Sequence, residues 1–308
     1  MANVNSRYLL CLVLIIFCFD SHAQNADSSL FEIDLVSDTQ APLAMEEILL
    51  KANHNTLATG KIFEDIHQRK PRALFILGDV VSLGSKASKW RKMDQYLSEI
   101  RQQKTYVTAV LGNHDVMFSA TKGQARFLKR FPDEMNTGFY KVYDSIAFVL
   151  LNSNFKTLKK EQLMQQQEFY QSLLQNLDGD SAVKFIVVTC HHAPYSNSKT
   201  VGSDKMVQEH FVPAFLQSKK AKLFITGHAH VFEHFKKEGK DFVTLGGGGG
   251  LHQHVNTGTN CIPSESFGYN PEFHYEIMRR SQNKLTIVSR FLQPDFSAFS
   301  NGYQFSVE

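Results

Sequence analysis

Five short apolar runs, each followed at once by a polar cluster, constrain the fold of this chain more than any other feature. "FEIDLV" leads into Ser37-Asp38-Thr39-Gln40, "ALFIL" into Gly78-Asp79, and "YVTAVL" into Gly112-Asn113-His114-Asp115. "KFIVVTC" leads into His191-His192, and "KLFIT" into Gly227-His228-Ala229-His230. Short runs rich in β-branched and aromatic residues read as buried strands, and the amphipathic stretches between them read as helices. Helical patterns fall over 45–68, 88–101, 121–131, 160–177 and 207–217. Strand alternating with helix predicts layered α/β architecture. All five polar clusters then lie at C-terminal strand ends, the edge where open α/β sheets bind ligands.

The last third changes character. "HVFEHFKK", "DFVTL", "FHYEIMRR" and "KLTIVSRFL" read as hairpin-linked strands, with the basic "KKEGK" at Lys236 to Lys240 as a solvated turn. Neither a repeat nor a Pro/Gly/Ser-rich linker divides the chain, so one domain with two sheets is expected over 24–308. At 308 residues, 43% apolar and 20% charged with a net charge of +3, the chain can bury a core; nothing in its bulk points to disorder or a nucleic-acid surface.

Residues 1–23 read as a Sec-type secretory signal peptide. Arg7 precedes the apolar run Tyr8 to Phe19, and Ser21 and Ala23 are small residues around a cleavage point. The twelve-residue apolar core is short of the roughly 20 needed to span a bilayer, so no stable membrane association is expected after cleavage. The expectation is an exported protein, periplasmic or secreted. Cys11 and Cys18 leave with the signal. Cys190 and Cys261 alone make no disulfide framework, so the core must hold the fold unaided.

Singly, the polar clusters have bland readings. Asp38-Thr39-Gln40 fits a helix cap, and Gly78-Asp79 fits a turn. The "GGGGG" tract at Gly246 to Gly250 fits a flexible loop as well as a place where backbone approaches a ligand closely. His252 and His254 read as surface histidines, Trp90 as core, and Cys190 as a small buried hydrophobe. Together and in order, however, the five clusters bring carboxylates, amides and imidazoles to one edge. Such a donor set suits two divalent first-row ions, Mn²⁺, Fe²⁺ or Zn²⁺. A Cys-rich structural zinc site is excluded.

With these motifs the chain resembles the calcineurin-like metallophosphoesterase superfamily, whose ordered pattern is Asp-x-His, Gly-Asp, Gly-Asn-His-Asp/Glu, His, Gly-His-x-His. The similarity runs from Asp38 to His230 and departs only at Gln40, which stands where the pattern has His. It implies two mixed β-sheets flanked by helices, with the metal site at C-terminal strand ends. It also implies that Asp79 bridges two ions, with Asp38, Gln40 and His230 on one and Asn113, His191 and His228 on the other. A metal-bridging hydroxide would then attack phosphorus in a small phosphate mono- or diester. His114 would serve the leaving oxygen, with Asp115 orienting it.

Either His191 or His192 fits the single-His motif, and the similarity favours His191 because Tyr195 then falls in register. Purple acid phosphatases are similar around "HHAPYSN", but Ser82 stands where their Tyr ligand would be. The specificity loops are expected around 121–138 and 196–206. Neither is strongly basic, so no long nucleic-acid substrate is expected. The alternative is a catalytically degraded phosphoesterase-fold binding protein holding one metal or a phosphorylated ligand. Its support is the absent first-motif His. Intact Asn113, His114 and Asp115 count against it.

Overall fold

The computed structural model describes residues 31–308 apart from Leu49 and Asn136, so the expected signal segment lies outside the described residues. Three parallel strands come first: β1 (Glu32–Val36), β2 (Ala73–Ile76) and β3 (Tyr106–Ala109). They are joined by helices α1 (Asn55–Arg69) and α2 (Ala87–Gln102), and followed by α3 (Asn113–Val116) and α4 (Ala120–Leu128). The chain then builds a second sheet from β4 (Phe139–Tyr143), β5 (Ile146–Leu150), β6 (Phe185–Thr189), β7 (Ala221–Thr226), β8 (Phe232–Lys237) and β9 (Lys240–Leu245). Its order is β4-β5-β6-β7-β9-β8. Helix α5 (Lys160–Gly179) connects β5 to β6, and α6 (Lys205–His210) and α7 (Val212–Gln217) connect β6 to β7. Finally β10 (His274–Ser281), β11 (Lys284–Leu292) and β12 (Phe299–Val307) return to the first sheet, giving β12-β11-β10-β1-β2-β3.

The architecture is the expected α/β sandwich of two mixed sheets flanked by helices. Its centre is the layer between the sheets, where Ile33, Leu35 and Phe75 meet Phe148, Val187 and Ile225. Phe75 and Phe148 stack at 4.4 Å. Ile62, Phe63, Trp90 and Leu97 cover the outer face of the first sheet, and Tyr170, Leu174, Phe211 and Phe215 that of the second. A fully buried side chain of this size contributes roughly 1.5–3 kcal/mol. Burial on both faces explains why the central strands are continuously apolar.

Local departures have physical causes. The helical pattern from 45 gives only a 3-10 turn at Glu46–Ile48 before α1 begins at Asn55. Asn55 turns its amide away from the helix to donate to the carbonyls of Gly249 and Gly250, at 3.0 and 2.9 Å. The 207–217 pattern splits into α6 and α7 because Pro213 occupies the first turn of a new helix. Strands β4 and β12 have no strong sequence pattern because both are edges, largely solvated on one side. Asn301-Gly302 in β12 looks like a turn, yet a Cβ on Gly302 would fall 2.0 Å from the Tyr269 hydroxyl, so Gly serves a close approach there. "KKEGK" is the expected hairpin turn, with Glu238 and Gly239 both at positive φ.

Candidate metal centre

The loops after β1 and β2 are zipped together by backbone. Asp38 N–H donates to Gly78 O and Gln40 N–H to Asp79 O, both at 3.1 Å. Asp38 and Asp79 take φ of 57° and 50°, a left-handed conformation that Asp tolerates better than most residues. Both carboxylates are buried. His228, at φ 68°, donates its N–H to Asp38 Oδ2 at 2.9 Å, and His114 N–H donates to Asp79 Oδ1 at 2.8 Å. Each carboxylate therefore keeps one oxygen facing inward.

The imidazoles are fixed from behind. His191 Nδ1 donates to Leu77 O at 2.9 Å, leaving Nε2 3.1 Å from Asn113 Oδ1 and 3.3 Å from Asp79 Oδ2. His230 Nδ1 donates to Leu251 O at 2.8 Å, leaving Nε2 3.4 Å from Asp38 Oδ1. A carbonyl partner fixes the tautomer, so in each neutral ring a nitrogen lone pair faces oxygen acceptors. Acceptor against acceptor is repulsive unless a proton or a cation lies between them. Among the described residues Asp38 Oδ1 has no hydrogen-bond donor. These residues fit divalent ions.

Titration follows the same geometry. Burial alone would lower His191, but the Asp79 carboxylate outweighs it and raises the ring to about 9. His230 is likewise raised: burial opposes, and Asp38 prevails. Burial would raise Asp79, but the charges of His191 and His114 hold it well below the ordinary carboxylate range. His228 is pushed far down by burial and then by its neighbours His192 and His191, so its ring stays neutral.

Gln40 is buried beside His230. With its amide turned so that Nε2 donates to the carbonyls of Asp38 at 3.1 Å and Asp79 at 3.0 Å, both acceptors are satisfied. The amide atom 3.3 Å from His230 Nε2 is then the oxygen, an atom that could hold an ion beside that ring.

One atom from each of Asp38, Asp79 and His191 lies within 4.8 Å of the others, and so does one from each of His191, His192 and His228. His192 differs from His191. Its Nδ1 is 2.8 Å from Ser153 Oγ, and its ring centroid is 4.5 Å from that of His228. Burial, then the His191 charge, pulls it down to about 3. Of the two histidines, His191 is the one that meets Asn113 and Asp79. Tyr195 packs on Phe242 and Phe235 in the helix-covered core.

His114 Nδ1 donates to Ser82 O at 3.1 Å, and its Nε2 is 3.4 Å from Glu46 Oε1 and 3.8 Å from Asp79 Oδ2. Asp115 does not orient it, contrary to expectation. Its two oxygens accept from the N–H groups of Gly112 (3.0 Å), Val80 and Val81 (both 3.2 Å), stapling the second and third motif loops together. Burial, then repulsion from Asp79, raises this carboxyl to about 7. The group that orients His114 is the Ser82 carbonyl, which any side chain at that position would supply.

The Gly tract is packed rather than loose. Gly248 and Gly250 donate to Ser37 O at 2.9 Å and Asp38 O at 2.8 Å. A Cβ on Gly250 would fall 2.3 Å from His230 Cε1, so the close approach is to a candidate ligand. His254 is exposed as expected, but His252 is largely buried, with its Nδ1 lacking a partner. The open cleft beside the centre is lined by Glu46, Leu50, His114, Lys199, Val201 and Leu251, among others. The 196–206 loop contributes as anticipated. No described residue of 121–138 lines this cleft, and the segment around Glu46 takes that place.

Two stacked mixed sheets thus bring oxygen and nitrogen donors to one edge, a set able to hold divalent ions. The chain belongs to the calcineurin-like phosphoesterase family, which matches residues 31–232. Among solved structures, a purple acid phosphatase, PPD1, from yellow lupin (Lupinus luteus) seeds aligns over 91% of this chain at 17% identity and a TM-score of 0.67. Only 54% of that enzyme is covered, so this chain spans about half its length. GAP50, described as the anchor in the inner membrane complex of Plasmodium, aligns at 15% identity and a TM-score of 0.61 over 88% of each chain. A dimetal phosphatase from Danio rerio aligns at 13% identity and a TM-score of 0.58, over 90% of this chain and 98% of that one. At these identities the likeness is one of fold. No curated protein matches the chain.

Proposed function

We propose that the protein hydrolyses small phosphate mono- or diesters at a two-ion centre. Asp79 would be shared between an ion on Asn113, His191 and His228 and an ion on Asp38, Gln40 and His230. The observation that carries this is the convergence of buried acceptors: the Nε2 lone pairs of His191 and His230 face Asp79, Asn113 and Asp38 at 3.1–3.4 Å. Divalent ions there would supply Lewis acidity and make water nucleophilic near neutral pH. The chain's own part is positional. Leu77 and Leu251 hold the rings in the ligating tautomer, while Asp38 and Asp79 supply buried anionic charge. His114, with Nδ1 held by Ser82 and Nε2 open to the cleft, holds the proton that the leaving oxygen takes.

Bound metal measured on the purified protein, with p-nitrophenyl phosphate and bis(p-nitrophenyl) phosphate assayed in added Mn²⁺, Zn²⁺ or Mg²⁺, tests this directly. Two ions per chain and turnover of at least one ester are expected. No turnover with any metal would overturn it. We also propose that the protein is exported to the periplasm or medium after cleavage behind Ala23. A mature N-terminus at Gln24 is the expected outcome of terminal sequencing, and a retained Arg7 would refute cleavage.

A further inference from the structure

Large apolar side chains are exposed where this fold gives them nothing to pack on. Among the described residues, those more than three-quarters exposed are Met45 (77%), Ile48 (81%), Phe118 (85%) and Phe267 (80%). All but Phe267 lie close in the chain to one contact, between Glu46 Oε1 and His114 Nε2 at 3.4 Å. Met45 and Ile48 flank Glu46, and Phe118 is one helical turn of sequence beyond His114. That contact is part of the wall of the candidate metal cleft, which Leu50, Val201 and Leu251 also line.

Phe118 is the most telling. It sits at φ 60°, with Ser119 N–H closing a tight turn onto Met117 O at 2.8 Å. A bulky residue in the left-handed region is strained, and an exposed ring recovers none of that strain through packing. Apolar side chains exposed on the two segments whose Glu46 and His114 wall a polar cleft suit a ligand that is itself apolar at one end. At the other end, Lys199 and the ion donors suit an anion.

We infer that the ester taken here is amphiphilic, with its phosphate in the cleft and an alkyl chain against Met45, Ile48, Phe118 and Val201. This rests on the phosphoesterase reading for the phosphate end only.

Calorimetric titration of the Mn²⁺-supplemented protein with n-alkylphosphonates from ethyl to decyl tests the inference without turnover. A fully buried methylene is worth about fourfold in affinity, so on a half-open rim about twofold per methylene is expected. The double variant I48S/F118S should flatten that dependence while the protein keeps its melting temperature. A dissociation constant independent of chain length, or no binding of any phosphonate, would overturn the inference. So would sedimentation with phosphatidylcholine vesicles, lost in I48S/F118S, alongside a flat phosphonate series; the rim would then contact membrane. Phosphate release from octyl phosphate is scored separately. Length-dependent binding without release would refute the esterase chemistry and leave the apolar rim standing.

Discussion

The two sheets make unequal contributions to the centre. The strand ends of the first deliver oxygen donors: Asp38 after β1, Asp79 after β2 and Asn113 after β3. Those of the second deliver nitrogen donors: His191 after β6, and His228 and His230 after β7. Neither set makes a site alone. Two of the bonds that aim them cross between sheets, His191 onto Leu77 and His228 onto Asp38. The inter-sheet apolar layer is therefore part of the site's construction, because it fixes oxygen against nitrogen at 3.1–3.4 Å. Gln40 breaks the symmetry by adding a further oxygen on the first sheet's side.

The most severe way to break this arrangement is at Asp79. Asp79→Asn keeps a residue that tolerates positive φ but removes the shared charge. A loss of roughly 10³-fold or more in kcat/KM, with fewer ions bound and little change in fold, is expected from kinetics and metal analysis. His114→Asn should leave metal content alone yet slow alkyl esters by roughly 10²- to 10⁴-fold. The p-nitrophenyl esters, whose leaving group needs no proton, should slow much less. Equal losses on both would contradict a proton role for His114.

Proton competition sharpens the contrast between the sheets. In chelator-treated protein His191 is raised to about 9, so ion affinity on its side should climb with pH and level off above about 9. Stability runs the other way. A raised folded pKa stabilises fully below the unfolded value of about 6.5 and is lost as pH rises through about 9. Asp79, held low, contributes above about 3.9, a contribution lost only as pH falls through its depressed value. In chelator-treated protein the melting-point advantage of wild type over His191→Asn should therefore be larger at pH 6 than at pH 9.5, and an advantage that does not shrink with rising pH would refute the His191–Asp79 pairing. The smallest effect is expected of Gln40→His, which moves a nitrogen donor onto the oxygen sheet. Zinc should bind about tenfold more tightly at most, with manganese little changed. An unaltered metal preference would show that Gln40 does not ligate.

Much of this was legible in the sequence because burial on both faces writes itself as continuous apolar runs, and the motif residues follow those runs directly. Edge strands β4 and β12 left no such trace, since solvent lies on part of each. The role of Asp115 was misread for a related reason. Its partners are backbone N–H groups of Gly112, Val80 and Val81, which carry no residue identity. Leu77, Leu251 and Ser82 act through carbonyls and were equally silent. Glu46 reaches His114 only because the irregular stretch before α1 folds back over the cleft, a tertiary event without a local pattern. Of the two readings of the Gly tract, close backbone approach is the one its packing fits, against His230 and the first motif loop.

Anomalous diffraction from crystals grown with Mn²⁺ tests the two-sheet centre most directly. Two ions about 3.5–4 Å apart are predicted. Asp79 should touch both, with Asn113, His191 and His228 on one and Asp38, Gln40 and His230 on the other. A single ion held by His191, His192 and His228, with Asp38 and Asp79 uninvolved, would contradict it.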